Sequence, residues 1–173
     1  MKKRHINSAK RTLDVESKAL TKLAANLDQK FSNLCEVILR SKGKIITLGV
    51  GKSGHIAQKI SATLSSTGSP SYFIHATEAL HGDIGVISKN DSVLILSHSG
   101  ESKEIIDLIP SLKNIGCKIF SFTGPTESTI AKSTDINIST EVDKEACPLD
   151  LAPTSSTTAA LALGDALAIA LLE

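Results

Sequence analysis

The hydrophobic positions of the first forty residues repeat with the period of an α-helix. The repeated apolar side chains, three, four or seven positions apart, are Leu13, Leu20, Leu23, Leu27, Phe31, Leu34 and Ile38. This stripe predicts one amphipathic helix, or two in succession, between about residues 8 and 39. The sequence Ser41-Lys42-Gly43 follows and predicts a glycine cap at the helix end. We therefore interpret residues 1–40 as a helical lead-in.

Beyond residue 43 the pattern changes to short apolar runs bounded by glycine or serine. Five of these runs predict strands, at residues 45–48, 71–74, 92–96, 118–122 and 135–139. Four further segments predict helices, at residues 55–65, 102–114, 126–132 and 157–172. Apolar strands that alternate with helices indicate an α/β fold, a doubly wound five-stranded parallel sheet flanked by helices over residues 44–172. Ligands of such sheets bind at the carboxyl ends of the strands, so the candidate chemistry is sought in those loops.

Length and composition narrow the classes of protein. A chain of 173 residues fits one domain, and its net charge of +1 with only 3% aromatic residues and no Trp argues against nucleic acid as a partner. The three cysteines form neither a paired framework nor a CxxC motif, which favours a reducing compartment. The basic residues 2–4 are not followed by an apolar run, and the apolar stretch of residues 161–172 is interrupted and short. We expect a cytoplasmic protein without a membrane partner.

A glycine-rich turn follows the first predicted strand. The segment Gly49-Val50-Gly51-Lys52-Ser53-Gly54 satisfies GxGxxG, and Gly51, Lys52 and Ser53 opening a helix can bind an anion through free N–H groups. A P-loop is excluded because Ile46 occupies the position of its first glycine. A dinucleotide site lacks its acidic residue, because His75 ends the second strand. The turn either binds a phosphate or merely joins strand to helix, and the glycines alone leave both readings open.

Hydroxyl-rich segments precede two further helices. Ser97, Ser99, Gly100 and Ser102 follow the third strand, and one of these serines would suffice for an ordinary helix cap. A second cluster, which includes Ser155 and Thr157, precedes the last helix. Hydroxyl-rich helix starts on one edge of a sheet predict a phosphorylated small ligand.

Titratable residues concentrate in the segment between the second and third strands, which we interpret as a loop. His75 and His81 lie there six positions apart, which is not the spacing of a helical metal site. Glu104 and Glu145 are the remaining candidates for acid–base chemistry. Glu104 in a first helical turn is also explained by the helix dipole, and Glu145 by solvation in a loop. The residues alone leave these roles open.

Five motifs occur in an order that resembles one known family. They are Gly51–His55, Glu78–Asp83, Ser97–Ser102, Glu145–Pro148 and Leu151–Thr158. From about residue 44 to residue 172 the chain resembles the sugar isomerase (SIS) domain of arabinose-5-phosphate isomerases. The resemblance implies a homotetramer that interconverts ribulose 5-phosphate and arabinose 5-phosphate, in supply of the sugar acid Kdo for lipopolysaccharide or capsule.

The same resemblance implies roles for individual residues. Lys52, Glu104, Glu145 and His81 match positions assigned to catalysis or substrate contact. Gly68 and Ser69 match substrate positions, the hydroxyl-rich loops match a phosphate cradle, and His75 matches a position where zinc has been found. No cofactor is required.

The chain departs from the family pattern in several places. It has Ala76-Thr77 where relatives often carry Pro-Gly, His98 where Asn is common, and Asp150 where Gly is usual. Relatives also continue into a His-Pro-Gly-Gly segment and a pair of CBS domains, which the 173 residues do not include. We therefore treat residues 1–173 as a single SIS domain, either excised or naturally short, and the completeness of its active site as open.

An aldose–ketose isomerase of this type needs a carbon base, a stabiliser for the enediolate oxygen and a proton relay. We expect Glu104 or Glu145 as the base, Lys52 as the stabiliser and His81 as the relay. The alternative function is a non-catalytic module that binds sugar phosphates. The joint presence of the lysine and the glutamates favours the enzyme.

Overall fold

A computed structural model describes residues 2–173 of the protein. Its elements are α1 (Lys2–Asn26), α2 (Gln29–Arg40), β1 (Ile45–Gly49), α3 (Gly51–Ser66), β2 (Ser71–His75), α4 (Ala76–Leu80), a 3₁₀ turn (Asp83–Val86), β3 (Ser92–Ser97), α5 (Lys103–Ile115), β4 (Lys118–Thr123), α6 (Thr129–Ser133), β5 (Ile136–Ser139) and α7 (Ser155–Leu172).

The strands form one five-stranded sheet in the order β2-β1-β3-β4-β5, and every neighbouring pair is parallel. The predicted fold class is therefore confirmed. The chain runs outward in one direction from β1 to β2 and in the other from β3 to β5, so the direction of winding switches between β1 and β3. Two consecutive loops diverge at such a switch and leave a crevice at the carboxyl ends of the strands.

Two apolar layers cover the sheet. On one face, residues of α1, α2, α3 and α7 pack on strand side chains such as Leu94 and Phe120. On the other face, residues of α4, α5 and α6 pack on side chains such as Ile46 and Val93. Burial on both faces explains why the central strands β1 and β3 are apolar without strict alternation.

The amino-terminal segment that carries the apolar stripe forms two successive helices, which was one of the two predicted alternatives. Asp28 separates them, because its carboxylate accepts the N–H of Lys30 at 2.9 Å and caps α2. The predicted glycine cap is wrong. The capping residue of α2 is Ser41 in an extended conformation, and Gly43 is required because a side chain there would collide with the backbone of Asn90.

Element boundaries differ most where helices begin. The helix after β1 begins at Gly51, four residues before the predicted start, because the glycine turn is its first turn. The segment after β2, interpreted as a loop, contains the short helix α4, which His75 caps by accepting the N–H of Thr77. A five-residue helix is too short to give a periodic pattern in the sequence.

Within residues 2–173, α7 is the one helix that is long and apolar enough to cross a membrane by length and composition. It packs against α3 and α1 and buries seven of its residues, among them Leu163 and Leu167. Its apolar composition is that of a core helix.

Candidate phosphate-binding cleft

A narrow cleft lies at the carboxyl ends of the strands, beside the switch between β1 and β3. We call it the switch cleft, and the residues that line it are Ser53, Ile56, Leu96, Ser97, His98, Phe122, Thr140, Ser156, Thr157 and Ala160. Its walls therefore include the start of α3, the end of β3 and the start of α7. Three of the predicted binding residues, Ser53, Ser97 and Thr157, meet here although they come from three separate loops.

The backbone geometry of the β1–α3 turn requires glycine at two positions. Gly51 has φ +56°, and a side chain on Gly49 would approach the Cα of Gly54 to 2.9 Å. The first helical hydrogen bond is donated by Gly54 to Val50 at 3.1 Å, so the N–H groups of Gly51, Lys52 and Ser53 precede it. Close packing thus accounts for Gly49 and the positive φ for Gly51, while the start of α3 still presents anion-binding donors at the cleft.

The hydroxyl groups of the β3–α5 loop bond to one another. Ser97 Oγ and Ser102 Oγ lie 2.9 Å apart, and Ser102 makes no side-chain hydrogen bond that caps α5. Ser99 Oγ accepts the N–H of Glu101 at 3.2 Å, and Gly100 has φ +66° and packs against Ser128. The serine at the start of α5 therefore does not act as an ordinary cap, which favours the ligand-binding interpretation of this loop.

The loop is also attached to the neighbouring helix. Glu101 accepts the N–H of Thr129 at the start of α6 at 2.8 Å. This hydrogen bond lowers the pKa of Glu101, so the residue is an anchored anion outside the cleft.

Glu145 holds the start of α7 in place. Its Oε2 accepts the N–H of Thr154 at 2.7 Å, the hydroxyl of Thr154 at 2.8 Å and the N–H of Ser156 at 3.4 Å. Burial alone would raise the pKa of Glu145, but the donors from Ser156 and Thr154 outweigh it and lower the pKa. The carboxylate is therefore a weaker base than an ordinary glutamate.

Two buried hydroxyl groups at the start of α7 have no partner among the described residues. They belong to Ser155 and Ser156, of which Ser156 lines the switch cleft. Ser155, which was predicted, is fully buried and does not line the cleft, whereas Thr157 lines it and donates to the carbonyl of Thr154 at 2.9 Å. Buried hydroxyl groups normally form hydrogen bonds, so we expect a bound ligand or water to supply the missing partners.

The remaining predicted catalytic residues lie around this edge of the sheet. Glu104 is half-buried in the first turn of α5, and its carboxylate accepts no hydrogen bond from residues 2–173. Lys52 is exposed in the first turn of α3. His81 is exposed at the end of α4 and does not line the switch cleft.

His75 ends β2 beside the start of α3. Its Nδ1 accepts the N–H of Thr77 at 3.4 Å, and its ring meets Phe73 edge-on with 6.4 Å between the centroids. No group of three or more His, Cys, Asp or Glu side chains suited to a metal occurs in the part of the chain that the structure describes. Zinc at His75 stays a prediction.

Gly68 and Ser69 lie at the opposite edge of the sheet. They follow α3 and border a groove formed with residues such as Ile45 and Leu172. The length of α3 separates them from Ser53 by roughly 22 Å. One chain does not bring them to the switch cleft.

Three polar residues of the cleft were not named as binding residues from the sequence: His98 and Ser156, which lie within the predicted hydroxyl-rich segments, and Thr140, which lies outside them. Thr140 follows β5 directly, so the rule about carboxyl ends of strands could have indicated it. Ser156 lies between two predicted residues and faces the cleft only because α7 begins at residue 155.

The sequence profile described as the SIS domain matches residues 38–170 of this chain. Arabinose 5-phosphate isomerase KdsD of Pseudomonas aeruginosa is 52% identical over 168 residues, which are 97% of this chain and 52% of that protein. The KdsD of Escherichia coli K12 is 48% identical over 166 residues, or 96% of this chain and 51% of that protein. The chain spans about half the length of these curated relatives.

The folds of solved structures match nearly the full length of the chain. The structure of E. coli CFT073 c3406 in complex with arabinose 5-phosphate has a TM-score of 0.95 and 43% identity, and the match covers 98% of this chain and 90% of that one. Phosphoheptose isomerase GmhA of Neisseria gonorrhoeae has a TM-score of 0.77 at 15% identity, over 99% of this chain and 98% of that one, and shows the fold alone.

Proposed function

Because this chain belongs to the SIS domain family, we propose that it is an aldose–ketose isomerase that interconverts ribulose 5-phosphate and arabinose 5-phosphate. The names of the similar KdsD proteins and the arabinose 5-phosphate complex of c3406 support this substrate. Arabinose 5-phosphate made in this way would supply Kdo for lipopolysaccharide or capsule.

The observation that carries the proposal is the convergence of hydroxyl groups and helix starts at the switch cleft. Ser53 at the start of α3, Ser97 and Thr157 at the start of α7 line the cleft together, and Ser156 adds a buried hydroxyl with no hydrogen-bond partner among residues 2–173. Helix starts and hydroxyl groups together favour a phosphate dianion. A phosphate fixed here would orient the sugar carbons toward the neighbouring loops.

The reaction needs no oxidant or reductant. A base removes a proton from C1 of ribulose 5-phosphate, which gives an enediolate across C1 and C2, and the same proton returned to C2 gives the aldose. We assign the base to Glu104, because Glu145 is held by three donors that lower its pKa. Lys52 stabilises the enediolate oxygen, and His81 relays the proton between O1 and O2.

No cofactor takes part in this scheme, since proton transfer alone moves the carbonyl group. The lysine provides the positive charge that the enediolate requires. Zinc at His75 is not part of the scheme.

The test is incubation of the purified chain with ribulose 5-phosphate, with arabinose 5-phosphate followed by ¹H NMR. Appearance of the aldose at a rate proportional to protein concentration supports the enzyme. Lys52→Met should abolish it, whereas Lys113→Met, a matched change at the far end of α5, should leave it unchanged. Phosphate binding without turnover would instead favour the non-catalytic sugar-phosphate module.

We further propose that the chain, as a single SIS domain, forms a homotetramer. Ile6 and Leu13 on α1 are 56% and 65% exposed, which leaves an apolar stripe uncovered. Gly68 and Ser69 can contact a substrate in a switch cleft only if a second copy presents them there. Sedimentation that finds only monomer at micromolar concentration would contradict the assembly.

The substrates and the cysteines favour a cytoplasmic location. Cys35, Cys117 and Cys147 are all free thiols, as expected in a reducing compartment. Sugar phosphates of this kind are intracellular metabolites.

A further inference from the structure

His98 is the one ionisable side chain among the ten residues that line the switch cleft. The others are serines, threonines and apolar residues, which offer neutral hydrogen bonds or none. Any positive charge in the wall of the cleft itself therefore has to come from this imidazole.

The ring has a defined place at the mouth of the cleft. The backbone carbonyl of His98 accepts the N–H of Gly124 at 2.8 Å, which fixes the chain where the ring begins. A side chain on Gly124 would lie 3.0 Å from Cε1 and 3.2 Å from Nδ1 of His98, so the ring occupies the space that the glycine leaves open. Neither ring nitrogen bonds to another residue of the described chain, which leaves both free for a ligand.

We propose that His98 binds the phosphate group of the ligand and adds a positive charge to the hydroxyl cradle. The inference rests on the proposed function, because it adds a residue to the same phosphate site. An imidazolium that donates to a phosphate oxygen forms a charge-assisted hydrogen bond, roughly twice as strong as a neutral one. His98 thus sets how tightly the cleft holds a dianion.

Other charged groups lie on the elements around His98 but outside the lining of the switch cleft. They are Lys52 on α3, Glu101 and Glu104 in the β3–α5 segment, and Glu145 beneath the start of α7. The pKa values of Glu101 and Glu145 are lowered by their hydrogen bonds, so both remain anions near neutral pH.

Sulfate is a suitable probe because it stays a dianion between pH 6 and 8, so any change in its affinity reports the protein. Calorimetric titration at pH 6.5 should show that the wild-type chain binds sulfate about 5–10 times more tightly than His98→Asn does, the difference between a charge-assisted and a neutral hydrogen bond. His98→Asn keeps a hydrogen-bond donor but carries no charge, so the comparison isolates the charge-assisted part of the hydrogen bond. His55→Asn, at an exposed position of α3 outside the cleft lining, should bind sulfate as tightly as wild type.

The proposal is overturned if the wild-type chain binds no sulfate, or if His98→Asn binds sulfate as tightly as wild type. Turnover provides a second measurement, in which His98→Asn should raise KM about 5–10-fold at pH 6.5 and leave kcat nearly unchanged. A fall in kcat at constant KM would overturn the binding role. A chain without turnover would contradict the proposed isomerase, while the sulfate titration would still decide the role of His98.

Discussion

Glu145 Oε2 accepts both the backbone N–H and the hydroxyl of Thr154, at 2.7 and 2.8 Å. The two residues enclose residues 146–153 of the loop between β5 and α7, and Thr154 Oγ1 in turn accepts the N–H of Ala146 at 2.8 Å. The carboxylate thus closes the loop and satisfies donors at the start of α7. A residue that resemblance assigns to catalysis has a structural role in this chain.

Replacement of Glu145 by Gln should lower stability. The amide keeps one acceptor oxygen but loses the charge that favours the start of α7, so we expect a loss of about 1 kcal/mol, the usual effect of a lost helix cap. For a domain of this size the melting temperature should fall by about 2–4 °C. Glu141→Gln, an exposed change in the same loop, is the control and should leave the melt unchanged. A Glu145→Gln protein with the same melting temperature as wild type would contradict the capping role.

Buried Asp91 should make the fold sensitive to acid. It is 2% exposed and accepts the N–H groups of Lys44 and Ser88 at 2.8 and 2.7 Å. Burial alone would raise its pKa, but the donors from Lys44 and Ser88 outweigh it and lower the pKa. A lowered pKa stabilises the fold above the unfolded value, roughly 3.9, and the contribution is lost as pH falls through the folded value.

Urea unfolding at pH 7 and pH 3 measures this contribution. Asp91→Ala leaves buried donors unpaired and should cost about 1–3 kcal/mol at pH 7. The free energy of unfolding of Asp91→Asn should differ less between pH 7 and pH 3 than that of wild type. If the free energy of unfolding changed between the two pH values by the same amount in the variant and in wild type, other carboxylates would cause the acid sensitivity.

The contact of α7 with α3 allows no side chain at Gly164. A Cβ there would collide with the side chain of Ile60. Gly164→Ala should therefore destabilise the protein by about 1–3 kcal/mol through overpacking, despite the better helix propensity of Ala. Combination with Ile60→Ala should cost less than the sum of the two single changes, because the second removes the colliding atoms. Strict additivity of the unfolding free energies would contradict the contact.

The sequence was sufficient to predict the sheet, because each strand is a mainly apolar run and the central strands are buried on both faces. Leu94 and Ile95, for example, are adjacent in β3 and both fully buried, which a half-exposed strand would not allow. Helix starts were predicted less well, because the turn at Gly51 resembles a loop until its hydrogen bonds are known. Gly43 was misinterpreted because its partner, Asn90, is distant in the chain.

The site was predicted only in part for a similar reason. Ser53, Ser97 and Thr157 could be recognised from their places after strands and before helices. That Glu145 would bind Thr154 depends on a loop conformation that no local pattern encodes. His98 directly follows β3, so its place at this edge could be recognised, but the position of its ring depends on Gly124, which is distant in the chain.

Glu104 should be the carbon base, and Glu104→Gln tests this directly. The substitution keeps shape and hydrogen-bonding capacity but removes the ability to accept a proton. We expect kcat to fall by about 10²–10⁴, the usual range for loss of a general base, with KM nearly unchanged because the loss is confined to the transition state. If Glu104 only compensates the helix dipole, the change should instead cost about 0.3–1 kcal/mol of stability and leave turnover nearly intact.

A rate assay paired with a thermal melt separates the two roles of Glu104. Asp107→Asn is the matched control, because Asp107 lies one turn further along α5 and pairs with Lys103 at 2.6 Å on the surface. It should leave both kcat and the melting temperature close to wild type, since exposed ion pairs contribute little. A Glu104→Gln protein with normal turnover, beside an inactive Glu145→Gln protein of normal stability, would transfer the role of base to Glu145.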